Sequence, residues 1–476
     1  MASKSTLNQK NLEALGAERL AALLIEISEG NANQKRRLRM ELAGVESPAK
    51  LVGEIRKRLT SIGAATNFIS WRTLKTFKAD LQTQRRLIAE QVAPNAPHDA
   101  LDLMWQFICL AAPVLERTTD TSGEVIEIFR QAAHDQGGIA TLAEASPATL
   151  SKPLIDAILA NGYGQSDTLI RDLAPRLGPD GLRQLRSDLL VAAREPETHR
   201  ATKTRKTSRW RRGRKLERET VSRRSRAQII HQAQLDIADA LGDVDAYMAL
   251  QPDLRVPATA AKVAERLLAA GRATEALSVL DAVRAGLREP RPREWTLARI
   301  QALEVLGHPD DAQTSRLDAF HQTLNPEFLR AYLKRLPDFD DIEAEDEALD
   351  FVARTANADV ALDFLIAWPA LERASRFVVE RIAGIDGGDD EVATIAAEKL
   401  AARYPLAAVL LLRKMIDATL NNARSIDYET AADRLGEAEK LSAGIDDFKG
   451  FPDHQTYLDQ LKARHGRKTD FWDAFA

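Results

Sequence analysis

Cysteine occurs once in the 476 residues, at position 109, which rules out an intramolecular disulfide and a zinc site built on paired thiolates. Aromatic residues make up only 5 % of the chain, and alanine and leucine dominate its apolar set. Strands favour β-branched and aromatic side chains, so this mixture points to close-packed helices. No apolar run suits a membrane span. The most apolar stretch, LMWQFICLAAPVL at 103–115, falls short of the roughly 20 residues required and contains Gln106. The opening MASKSTLNQKNLEALG has no apolar core of a signal peptide, so a cytoplasmic, reducing location is expected and no membrane partner.

Catalytic signatures are equally scarce. The eight histidines, at 98, 134, 199, 231, 308, 321, 454 and 465, form neither HxxxH nor HExxH. NGYGQSD at 161–167 and IDGGDDE at 385–391 have neither of the glycine spacings that cradle phosphates, and GxSxG does not occur. Both loops are expected to be interhelical turns. Cys109, inside its apolar segment, reads as buried packing. The expectation is a non-catalytic protein with no cofactor, no metal ligands and no catalytic residue to assign.

What is present is helical periodicity. With 45 % hydrophobic and 29 % charged residues the chain has ample material for a core. Leu51, Ile55, Leu59 and Ile62 form one stripe; Leu74, Phe77, Leu81, Ile88 and Val92 form another. Ser47-Pro48, Ser70 and Pro97 mark helix starts, and Gly123, Pro147 and Gly162 punctuate the helices further along. In VAERLLAAGRATEALSVLDAVRAG, Gly271 sits in a turn between Ala264 and Leu267 on one side and Ala276, Leu277 and Leu280 on the other. This resembles a tetratricopeptide-type helix pair, with alanine where two helices approach closely. Related patterns surround Gly242 and Gly307, at irregular spacing. The fold class is therefore expected to be all-α, an α-solenoid of helical hairpins with degenerate tetratricopeptide-like repeats in the C-terminal half. Three parts are predicted: a helical domain over 1–195, a basic linker over 196–226 and the solenoid domain over 227–476. The terminal Phe471, Trp472 and Phe475 are expected to cover the last apolar face.

Charge is spread unevenly. The net value is −4, yet residues 199–226 carry +11 and residues 35–86 carry +9, which leaves the rest at −24. In TRKTSRWRRGRKLERETVSRRSR, residues Arg205, Lys206, Arg209, Trp210, Arg211, Arg212, Arg214 and Lys215 have almost no apolar company. Arg223, Arg224 and Arg226 precede or open a helix, where cations oppose the dipole by about 0.3–1 kcal/mol. A phosphate among them, or a base stacked on Trp210, would explain the run as a nucleic-acid contact. A solvated linker and an internal strap are the other readings. On SWRTLKTFKADLQTQRRLIAEQV, residues Arg72, Lys75, Lys78, Arg85 and Arg86 fall within an arc of about 140°, a second face able to track phosphates.

The acidic counterpart is PDFDDIEAEDEALD at 337–350, with Asp338, Asp340, Asp341, Glu343, Glu345, Asp346 and Glu347. It fails as a calcium loop, because Glu343 stands where glycine is needed and Leu349 where a glutamate should bind. Its acids suit the start of a helix, and a docking patch for the basic run is the sharper alternative.

The stretches KNLEALGAERLAALLIEIS, DIADALGDVDAYMAL, FLRAYLKRLPDFDD, FLIAWPALERA and HGRKTDFW give the chain its resemblance to a bacterial α-helical family, domain of unknown function 6880. The second half is also similar to the helical region of bacterial SWIM zinc-finger proteins, without the zinc ligands. The resemblance implies a fold and no catalytic residues. The expected function is a cytoplasmic interaction scaffold with a protein or peptide partner; the alternative is a nucleic-acid-associated adaptor using 200–226 and the helix at 70–92.

Overall fold

The computed structural model describes residues 7–30, 32–118, 120, 122–194, 223–283, 291–388 and 390–475. They form helices, and among them no strand occurs, only one isolated bridge between Ile69 and Thr118. The protein is all-α, a solenoid of helical hairpins. No helix among the described residues is long and apolar enough to cross a membrane. The chain divides into two compact units, 1–252 and 253–476.

The first unit begins with α1 (Gln9–Glu13), α2 (Ala17–Ser28), α3 (Ala32–Glu46), α4 (Pro48–Ala64) and α5 (Trp71–Arg86). Pro48 occupies the first turn of α4, where its missing N–H costs nothing, and the stripe Leu51, Ile55, Leu59 and Ile62 is buried. The α5 stripe also turns inward, with Leu81, Ile88 and Val92 fully buried. After Arg86 the helix widens into a π-helical turn, Leu87–Val92, whose end is marked by the Ala93 amide donating to Ile88 O at 2.9 Å. The centre of the unit is α6 (Pro97–Cys109), α7 (Ala111–Glu116) and α8 (Glu124–Leu142), joined by a tilted ring pair, Phe107 and Phe129, 5.3 Å apart. Around it lie α9 (Pro147–Leu159), α10 (Leu169–Arg194), α11 (Arg226–Leu241) and α12 (Val244–Ala249).

Three features differ from expectation. Cys109 is exposed at the end of α6, facing away from the apolar segment that suggested burial. Desolvation and then the Asp156 carboxylate still push its thiol up, away from the reactive thiolate. The helix α10 is kinked at Gly178, φ 63°, ahead of Pro179, a break the periodic leucines on both sides conceal. Finally, α11 packs against α10 and α9 inside the first unit. Residues 227–252, expected in the C-terminal domain, are grouped with the N-terminal unit.

The second unit opens with α13 (Pro257–Ala269), α14 (Ala273–Asp281), α15 (Arg293–Val305) and α16 (Pro309–Thr323). Here α13 packs on α14 and α15, and α15 on α14 and α16, the nearest-neighbour pattern of stacked hairpins. Gly271 and Gly307 each follow a helix end in the left-handed region, at φ 74° and 78°, where glycine carries no Cβ penalty. Ala264, Ala276 and Ala312 are fully buried at the crossings. The unit continues as α17 (Pro326–Leu333), α18 (Asp340–Arg354), α19 (Ala358–Ala367), α20 (Leu371–Arg381), α21 (Asp390–Ala401), α22 (Pro405–Asn421) and α23 (Tyr428–Ser442). It closes with α24 (His454–His465) and α25 (Thr469–Phe475), which seats Phe471 in a core with Tyr428, Leu435, Tyr457 and Leu461.

Two adjacent glycines in α8 separate packing from propensity. A Cβ on Gly137 would stand 2.6 Å from Asp172 O of α10, so this glycine is the contact point of the two helices. One on Gly138 would meet nothing within 4 Å. Gly138→Ala is expected to stabilise the protein by about 0.5–1 kcal/mol through helix propensity. Gly137→Ala is expected to destabilise it by about 1–3 kcal/mol through forced separation. Urea denaturation of the two variants beside the parent chain measures both signs.

Candidate interaction surfaces

Two of the five residues of the basic face expected on α5 pair with α8. The Lys78 ammonium donates to Glu124, and the Arg85 guanidinium to Asp135; both acids lie on α8. Arg86 lies 3.8 Å from Glu90 on its own helix. Lys78 also holds the Glu124 carboxyl below its ordinary value, together with the Ser122 hydroxyl. Arg72 and Lys75 are exposed. A lone-helix reading sees one-signed charge because the neutralising acids come from a helix far along the chain.

Lys75 instead borders a groove between α3 and α5. Two adjoining clefts of about 300 and 310 Å3 share Arg37, Ala79 and Thr83. At its base Asp80 is buried, accepting from Arg58 Nε at 2.8 Å and from Gln84 Nε2 at 3.2 Å, with Arg36 at 3.7 Å. The Gln84 Oε1 is buried and has no partner among the described residues. Asp80 therefore ties three helices together.

Of the basic run, Arg205, Lys206, Arg209, Trp210, Arg211, Arg212, Arg214 and Lys215 lie outside the described residues. The three arginines at its end are all engaged. Arg224 makes a two-pronged pair with Asp167, Nη1–Oδ1 2.6 Å and Nη2–Oδ2 3.0 Å, and its amide donates to Gly162 O at 2.8 Å. Arg223 pairs with Glu116 at 3.2 Å, and Arg226 donates to Ala192 O at 2.7 Å. A Cβ on Gly162 would stand 2.9 Å from the Arg223 chain, so the NGYGQSD loop is shaped around these arginines and is more than a turn. Asn161 fixes the loop from within, donating to Asp167 at 2.7 Å and accepting from the Ser166 amide at 2.9 Å.

The start of α11 does not offer the expected phosphate nest. Ser225 and Gln228 form a reciprocal capping box that satisfies first-turn N–H groups, Ser225 Oγ accepting from the Gln228 amide and Gln228 Oε1 from the Ser225 amide.

The acidic cluster runs into the first turn of α18, where Asp340, Asp341 and Glu343 favour the helix dipole. Asp338, Asp340, Asp341, Glu343 and Glu347 are exposed. Asp346 accepts from Arg373 of α20 at 2.8 Å, Asp350 takes the other guanidinium nitrogen, and Glu345 accepts from Trp368 Nε1 at 2.6 Å. Part of the cluster thus serves its own unit. Among the described residues no group of three His, Cys, Asp or Glu is placed to hold a metal ion.

Two features had no sequence signal. A cleft of about 390 Å3 lies between the ends of α16 and α18 and the start of α19, floored by Leu324, Phe351 and Val360 and rimmed by Gln322, Arg354 and Asn357. His321 lies against Phe351, ring centroids 4.3 Å apart, and Leu324 is held in the left-handed region at φ 48°. Separately, the buried Arg413 lies over the Tyr457 ring at 4.6 Å and the Phe448 ring at 5.7 Å while donating to Pro452 O at 2.6 Å, fastening the 444–453 loop to α22.

Beside the Arg224–Asp167 pair, burial pushes the Asp236 carboxyl from 3.8 up to about 6; Asp167 and Asp239 add to this, and Gln232 and Arg224 oppose it. A carboxyl with a raised native value binds its proton more tightly folded than unfolded. Stability is therefore expected to fall as pH rises from about 4 to about 6, and to level above. Asp236→Asn is expected to flatten that fall and to raise the melting temperature at pH 7. Melting curves across this range, with and without the substitution, measure it.

Residues 2–474 match a family described as "Family of unknown function (DUF6880)". No curated protein matches. Among solved structures, the chain is similar to one described as "Circular tandem repeat protein with novel repeat topology and enhanced subunit contact surfaces". That similarity covers 96 % of this chain and 98 % of the other, at 14 % identity and a TM-score of 0.14.

Proposed function

The chain belongs to this family of unknown function, and we propose that it is a non-catalytic cytoplasmic scaffold that holds a protein or peptide partner on its stacked helix pairs. The observation that supports this most directly is the cleft between α16, α18 and α19. Its floor is apolar, its rim polar, and its volume of about 390 Å3 suits one or two partner side chains. Leu324 closes it in a backbone conformation that costs a non-glycine residue about 1–3 kcal/mol, which the surrounding packing must offset. Val360 is 44 % exposed, so it is available to a partner without being part of the core.

A pull-down from native lysate, with nuclease treatment and with Val360→Asp as the second bait, tests this reading. Protein retained after nuclease and reduced at least about fivefold by the substitution is expected, a loss of about 1 kcal/mol in affinity. Retention of nothing but nuclease-sensitive material would overturn the scaffold.

The adaptor reading has Arg37 and Lys75 beside the α3–α5 groove in its favour. Against it, Lys78, Arg85, Arg223 and Arg224 have carboxylate partners, so it rests mainly on 200–222, outside the described residues. Duplex DNA and RNA binding against salt decides: the scaffold requires none at low ionic strength. A steep loss of affinity with salt, abolished by deleting 200–222, would install the adaptor instead.

A further inference from the structure

Arg413, at the middle of α22, is 5 % exposed and keeps a charge that burial disfavours. Its Nη1 donates to Pro452 O at 2.6 Å, while Nε and Nη2 are buried and have no hydrogen-bond partner among the described residues. Those two nitrogens form one edge of the guanidinium, the edge that holds an oxyanion by two parallel N–H···O bonds. Elsewhere in the chain this edge is filled. Arg272 uses it on Glu275, Nε–Oε1 2.7 Å and Nη2–Oε2 2.6 Å, and Arg176 uses it on Ala145 O at 3.2 and 2.9 Å. The acids whose charge reaches Arg413 are committed to other groups. Asp417 accepts from Arg464 at 3.2 Å and from the Tyr457 hydroxyl at 3.5 Å, and Asp453 caps α24 by accepting from the Thr456 amide at 2.7 Å.

A second group with unused polar atoms adjoins it. His454 is the first residue of α24, and its Nδ1 and Nε2 are both buried without a partner among the described residues. The contacts that hold Arg413 come from either side of this histidine: Pro452 precedes it, and Tyr457, whose ring centroid lies 4.6 Å from the guanidinium, follows it. Desolvation and then the Arg413 charge pull His454 below its ordinary value, so the two groups feel each other directly. His454 also stands at the positive end of α24, where an anion is favoured. A buried guanidinium is costly unless acceptors and a countercharge meet it; water supplies the first and not the second.

We propose that Arg413 and His454 bind a small oxyanion, a phosphate- or carboxylate-type group, between α22 and the start of α24. The Nε–Nη2 edge of Arg413 donates to its oxygens, and the His454 ring N–H adds a further donor. The anion supplies the countercharge that the guanidinium otherwise lacks, so its binding also stabilises the fold. The loop at 444–453, fastened to Arg413 through Pro452, is the segment that parts to admit it. This inference is independent of the scaffold reading.

Isothermal titration calorimetry of the full chain with inorganic phosphate and, separately, with acetate tests it, with circular dichroism as the folding control. Saturable uptake at one site per chain is expected for at least one probe, with a matching rise in melting temperature. Uptake of phosphate alone identifies a free inorganic anion, and uptake of acetate alone a carboxylate such as a peptide's; uptake of both marks a site that reads only the paired oxygens. Arg413→Lys keeps the charge but removes the two-pronged edge, and weakens binding at least about tenfold. His454→Ala, at a partly exposed position, weakens it about threefold and carries the test should the lysine variant lose helicity. No uptake of either probe, with an unmoved melting temperature, overturns the proposal and leaves these donors to water. So does uptake that survives both substitutions, or uptake lost on deleting 200–222, which would assign the anion to the basic stretch.

Discussion

Helices in this chain approach one another closely because alanine and glycine stand where they cross. Ala132 and Ala133 on α8, Ala276 on α14, Ala312 on α16 and Ala431 on α23 are completely buried, and at Gly137 the backbone of α8 meets that of α10 directly. Small side chains bring helix axes together but bury little apolar area each. Stability is therefore distributed over many shallow contacts, and each hairpin depends on its neighbour, as in other stacked-repeat architectures. The few aromatic residues are spent where that rule gives way: Phe107 and Phe129 in the first unit's centre, Phe320 beside Phe364, Phe471 on the last helix.

The same constraint explains what the sequence disclosed. The stripes of α4 and α5, the left-handed glycines at 242, 271 and 307, and the inward turn of Phe471 arise from residues within a few turns of each other. Helical periodicity and terminal chemistry are local, so they can be read locally. The kink at Gly178 escaped because leucines on both sides keep phase, and Cys109 because an apolar neighbourhood in sequence is not a direction in space.

Charge was the less legible part. Arg85 finds Asp135 across 50 residues, Arg224 finds Asp167 across 57, and Arg58 finds Asp80 across 22. None of these pairings has a spacing signature, since each depends on which helices become neighbours. Sequence sees the cations of α5 as a face and those of 223–226 as the tail of a run. In the fold, most of them fasten one helix to another. Where such pairs are partly buried they orient helices more than they stabilise them, because desolvation offsets much of the attraction. The cations that remain on the α3–α5 groove stand out for that reason.

Arg226 reaches back to Ala192 O, and α11 lies against α10. The described residues on either side of 195–222 therefore lie close together in the first unit. A protease cut between residues 194 and 223 would therefore leave two fragments still seated on each other through the α10–α11 contact. Pulling on those two fragments would load that helix pair first. How α10 and α11 meet is thus set by their own contact and not by the chain that joins them.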